Sequence, residues 1–165
     1  MVPTIEFRTL SVSSPEPTDR TTEGTVIGNG EVLDLGAVDT TDEAQDSPVR
    51  VFWWRVTDMK GNCEVSNMRV WISDTGDFSG NDTWYMDITD TWNKNKTPVQ
   101  VKTGSPGTAA LSEPSANLTK YGGETITGTA HDQTSQYIYL SGNIGVNETT
   151  GEKSGLKLTI KFDYH

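Results

Sequence analysis

The chain has 165 residues, 13 Lys and Arg against 23 Asp and Glu, and a net charge of -10. That length suits one domain with its own core. The acidic balance, with no Lys/Arg cluster to neutralise phosphates, argues against direct nucleic-acid binding and against an anionic membrane surface, and the single cysteine excludes an internal disulfide framework.

The first predicted strand is Ile5–Val12, closed by Ser13-Ser14-Pro15-Glu16-Pro17. Gly24–Leu35 reads as a hairpin, because Asn29-Gly30 readily takes the positive φ of a tight turn. Asp39–Ser47 carries Asp39, Asp42, Glu43 and Asp46 and reads as an exposed acidic loop. Val49–Thr57 is the strongest strand. Val49, Val51, Trp53 and Arg55 fall on one face and Arg50, Phe52, Trp54 and Val56 on the other, so it is expected to be central and covered on both sides.

After a turn at Asp58–Asn62, Val65–Ser73 returns as a strand, followed by the loop Asp74–Asp82 and the strand Thr83–Thr89. Asn93–Thr97 reads as a polar turn and Pro98–Lys102 as a short extended piece. Gly104–Lys120 is irregular, with at most a helical turn at Ala109-Ala110-Leu111. Thr125–Thr129 reads as a short strand. Tyr137–Val146 and Leu156–Tyr164 are expected to pair as a hairpin across the loop Asn147–Ser154. In the last strand Leu156, Leu158, Ile160, Phe162 and Tyr164 alternate with Lys157, Thr159, Lys161 and Asp163, the mark of one wet face. Eight to ten strands at this spacing predict an all-β, single-domain β-sandwich or jelly roll over residues 1–165, with long polar loops. Residues 1–20 are the candidate for an extended N-terminal arm, and deleting Met1–Pro17 should leave the sandwich folded.

Catalytic constellations are not evident. His131, Asp132 and Ser135 lack the activated turn a triad needs. One cysteine and two histidines do not make a zinc set, and Cys63 has no identifiable activating neighbour. No carboxylate pair stands out by spacing from the 23 acidic residues. The chain is therefore read as a non-enzyme without a resident cofactor. Calcium is the one ion with a plausible loop: Asp74, Asp77, Ser79 and Asp82 lie close together with Gly76 and Gly80 between them, although Gly76 and Phe78 break the EF-hand alternation. Three N-x-Thr triplets, at Asn81, Asn117 and Asn147, fit chance in a chain rich in Asn and Thr.

The tryptophans are the remaining signal. Trp53 and Trp54 are adjacent on one strand and must point to opposite faces. One therefore packs in one layer while the other meets a second layer or a partner. Trp53, Trp71 and Trp84 fit an aromatic-filled core. Trp92, in a polar run, is expected to be exposed or at an interface. Trp92, Trp54 and Tyr85, together with Ile5 and Phe7 of the arm, are the candidate interface or ligand-binding residues.

The segments NMRVWISDTGDFSGNDTWYMDI (67–88), QYIYLSGNIG (136–145) and SGLKLTIKFDY (154–164) resemble small all-β structural proteins of tailed phages and related viruses, namely decoration, tail and head-completion proteins. The resemblance implies a virion protein made in the host cytoplasm and not exported by a signal peptide, since the N-terminus shows neither the basic nor the apolar region of one. It further implies assembly with copies of itself and with other virion structural proteins, through arms or edge strands. The competing expectation is a carbohydrate-binding or adhesion module that meets glycan on Trp92 with Tyr85 or Trp84, with calcium held at Asp74–Asp82 as an assisting ion.

Overall fold

The strand Arg50–Asp58, β4, organises the molecule. Its residues alternate between two apolar sets, Phe52, Trp54 and Val56 on one face and Val51 and Trp53 on the other, and all five are buried. A strand with no wet face needs a layer on each side, and the fold supplies both. The computed structural model describes residues 1–28, 34–127, 133–146, 148–149 and 151–165. The predicted Asn29-Gly30 turn, His131 and Asp132 lie outside them.

Among the described residues there are ten strands and one short helix. β1 (Thr4–Leu10), β2 (Thr25–Ile27), β4, β6 (Thr83–Thr89), β7 (Pro106–Thr108) and β9 (Tyr137–Ile144) form one sheet in the order β2-β1-β4-β9-β6-β7, and β3 (Gln45–Asp46) joins it beside β9. β5 (Glu64–Thr75), β8 (Ile126–Thr127) and β10 (Leu156–Tyr164) form the second sheet in the order β10-β5-β8. Every pairing is antiparallel. The chain is an all-β sandwich, as its alternation and turn spacing predicted.

The interior between the sheets gathers Phe52, Trp54 and Val56 of β4, Val65, Met68, Val70 and Ile72 of β5, Trp84 and Met86 of β6, and Ile138 and Leu140 of β9. Leu158, Ile160 and Phe162 of β10 close it from the second sheet while staying half-exposed. Beside Trp84, Gly142 provides the space: a Cβ there would lie 2.6 Å from the indole. On the outer face of the large sheet a second cluster forms from Val49, Val51 and Trp53 with Tyr137 and Tyr139. It is roofed by Val101 and by the partly buried Leu10, Val12, Trp92 and Tyr121.

Three expectations change. Tyr137–Ile144 and Leu156–Tyr164 are not a hairpin: β9 sits in the large sheet and β10 pairs with β5 in the small one. β9 is buried almost throughout and demands cover on both faces, whereas β10 alternates and tolerates an edge, so the two patterns belong to different positions. Pro98–Lys102 is a helix, α1, not an extended piece. Thr97 caps it by accepting from Gln100 N–H, the Gln100 side chain accepts from Thr97 N–H at 2.8 Å, and Pro98 occupies the first turn. Ala109 belongs to no helical turn, and its N–H donates to Trp84 O at 2.8 Å, extending the sheet edge.

The N-terminal segment is not a free arm. β1 lies between β2 and β4, paired with β4 along its whole length, and Ile5 and Phe7 pack on the sandwich interior. The chain beyond it is tied down by its own carbonyls. Arg8 donates to Thr22 O and Glu23 O at 2.9 and 3.1 Å, Arg55 to Thr21 O at 2.8 Å, and Trp53 Nε1 to Arg20 O at 2.8 Å. The Arg20 guanidinium in turn lies 3.1 Å from the Tyr121 ring centre. Four consecutive carbonyls that cannot join a ladder are thus satisfied by side chains of the sheet they cover.

Candidate functional site

The acidic loop 74–82 is held by partners of its own. Asp74 Oδ1 accepts from Gly76 N–H at 2.9 Å, and Asp77 Oδ2 accepts from Ser154 N–H and Oγ–H at 3.0 and 2.8 Å. These bonds hold the Asp77 carboxyl below its usual range. Gly76, at φ 57°, lets the two loops touch: a Cβ there would lie 2.2 Å from Ser154 O. Ser79 N–H donates to Glu148 Oε2 at 2.9 Å, and Asp82 Oδ1 accepts from Gly145 N–H at 2.8 Å. Of the four residues expected as calcium ligands, Asp77, Ser79 and Asp82 therefore clamp the β9–β10 connection while Asp74 bonds within its own loop, and among the described residues no three His, Cys, Asp or Glu side chains gather to hold a metal ion.

Asp82 and Glu148 form a carboxyl pair. Burial, with the Glu148 carboxylate beside it, pushes Asp82 up, while Lys153 at 2.7 Å and the Ser79 contacts pull Glu148 down to about 2. Asp82 Oδ2 is buried and accepts from no group in the described structure. The two carboxyls titrate as a coupled pair, proton affinity raised at Asp82 and lowered at Glu148.

The aromatic candidates turn inward. Trp54 is 0 % exposed and stacks on Phe162 with ring centres 5.7 Å apart, so it cannot meet a partner. Trp84, 3 % exposed, meets Phe78 edge-on at 5.0 Å. Trp92, expected outside, is half-buried: its Nε1 donates to Ser14 O at 3.1 Å and its ring meets Tyr137 at 5.1 Å. An indole surrounded by polar neighbours in sequence has found its cover from the N-terminal segment. Tyr85 is half-buried, with Lys102 Nζ 5.3 Å from its ring centre. Nearby, Lys96 and Asp87 form a buried ion pair beneath Tyr139; Asp87 also accepts from Ser105 N–H at 3.1 Å, and burial raises the Tyr139 phenol to about 12. These polar groups hold loops onto the sheet.

Two surface features remain. A groove of about 540 Å³ runs beside the 37–48 segment, lined by Val38, Asp39, Asp42, Glu43 and Pro48, with Asp46 bound to Lys102 at 2.6 Å. The other is the outer edge of β10, which sequence reasoning took for half of a hairpin. His165 donates to Glu64 O and accepts from Glu64 N–H, which fixes the alternation along the strand. Both register shifts insert their extra residue on β5, so β10 itself stays regular. The N–H and C=O groups of Thr159, Lys161 and Asp163 therefore face β5, and those of Leu158, Ile160, Phe162 and Tyr164 face outward. Among the described residues no backbone group pairs with that outer row. The clean alternation of 156–164 marked one wet face, not the strand's place at the edge of the sheet.

No family model, curated protein or solved structure matches the chain.

Proposed function

We propose that the chain is a virion structural protein, a capsid decoration protein or another head or tail assembly subunit. The observation that supports the reading is the edge of β10. It presents nine residues of strand with a backbone row unpaired among the described residues, above a half-exposed apolar face, on a body whose loops are fastened by side-chain bonds to main-chain carbonyls. A rigid sandwich with one long open edge is built to be joined by another strand. The arm expected from the sequence is part of the fold, so joining falls to the edge. The acidic surface keeps subunits apart until they dock.

Particles purified from the source on a density gradient, with their proteins quantified by mass spectrometry, test this. The chain should co-sediment with the major shell protein in a fixed ratio. Recovery only in the particle-free fraction overturns the reading.

A further inference from the structure

We infer that the outer edge of β10 is the pairing edge of a second copy of this chain, related by a two-fold axis at Ile160. The inference deepens the assembly reading above and rests on it for its purpose, not for its geometry. β10 offers nine residues at an edge, whereas the other outer strands described, β2, β3, β7 and β8, run three, two, three and two. An antiparallel partner centred on Ile160 overlaps the whole strand, Leu156 opposite Tyr164 of the second copy and Leu158 opposite Phe162. Each such pair involves residues whose N–H and C=O face outward, so each can exchange both backbone hydrogen bonds.

Side chains select the same register. On the apolar face Ile160 meets its own copy, and Leu158 meets Phe162, closing over groups that the lone subunit leaves half-exposed. On the wet face Lys157 stands opposite Asp163, twice by symmetry, and Lys161 opposite Thr159. Both charged groups are open to solvent: Lys157 is 68 % exposed and 3.7 Å from Asp74, and Asp163 is 57 % exposed beside Arg69. Sliding the axis to Thr159 places Lys157 opposite Lys161 at two positions, and sliding it to Lys161 places that lysine opposite itself. Edge lysines ordinarily discourage indiscriminate strand pairing. Here they reject the neighbouring registers and accept the one that overlaps completely. A two-fold pairing also closes on itself, joining two three-stranded sheets into six strands without propagating.

Light scattering on the purified chain should give twice its 18.1 kDa at high concentration. Lys157→Glu should weaken the dimer about tenfold by turning both attractive cross-strand pairs repulsive. The double variant Lys157→Glu, Asp163→Lys should restore it. Hydrogen exchange should slow at the amides of Leu158, Ile160 and Phe162 as the dimer forms. A monomer at every concentration, or a dimer indifferent to both variants, overturns the inference. A dimer whose chain is missing from particles overturns the virion reading alone, and a monomeric chain found in particles overturns the pairing alone.

Discussion

The two faces of the large sheet are buried by different means. Between the sheets the cover is another sheet, and the contacts are aliphatic, methionine, phenyl and indole, with Trp54 and Trp84 burying indole N–H groups that find no acceptor among the described residues. On the outer face the cover is loop and one short helix, and each large aromatic carries a polar tether. Trp53 bonds to Arg20 O, Trp92 to Ser14 O, and Tyr139 accepts from Asn93 N–H at 2.8 Å. A sheet presents a continuous surface whose own backbone is satisfied, so packing suffices. A loop brings unpaired carbonyls and amides, and it can cover a core only where side chains bind them.

The sharpest way to break this contrast is to remove Met1–Pro17. The deletion takes β1 from between β2 and β4 and part of the outer cover with it. The product should show no native near-ultraviolet dichroism and no sigmoidal urea transition, the opposite of what an arm would give.

Next in size is a paired substitution at the adjacent tryptophans. Trp53→Phe and Trp54→Phe remove similar volume. Trp53→Phe also strands Arg20 O, so it should cost about 1 kcal/mol more in urea unfolding at unchanged m. Equal losses would mean that the tethers contribute nothing to the outer layer.

The smallest expected effect concerns the loops where the two sheets meet. Asp82, raised above the usual carboxylate range, favours folding in its protonated form, and that contribution fades as pH rises through its folded pKa. Glu148, lowered to about 2, contributes above the ordinary carboxylate range and loses that contribution only as pH falls toward 2. Asp82→Asn keeps the acceptor for Gly145 N–H and presents Glu148 with a permanent donor. It should raise stability by roughly 0.5 kcal/mol near pH 7, the scale of a partly exposed charge contact. The gain should shrink as pH falls into the range where Asp82 protonates, read from melting temperatures across pH.

Much of the strand content was legible because β6 and β10 alternate with a period of two and β4 is a short apolar run with no polar face, patterns that no helix produces. Trp53 and Trp54 dividing between two layers followed from adjacency alone. The helix at Pro98 was also written in the chain, since Thr97, Pro98 and Gln100 spell a capping box, but five residues are too few to show an apolar period. The aromatic candidates misled because polarity in sequence says nothing about what folds over a residue. Trp92 lies in TDTWNKNK, and its cover comes from Ser14, 78 positions earlier. The loop acids misled for a related reason: Asp77 and Asp82 find partners at Ser154 and Gly145, separations that no local motif encodes.

β4 belongs to both interiors at once. Trp54 anchors one and Trp53 the other from neighbouring positions on a single backbone, so neither layer can open without bending the strand that seats its counterpart. The outer layer, though assembled from loops, is thereby yoked to the sandwich in time as well as in space. Indole fluorescence from the outer Trp92 and dichroism from the paired sheets should report one shared melting event, with no early fraying of the roof.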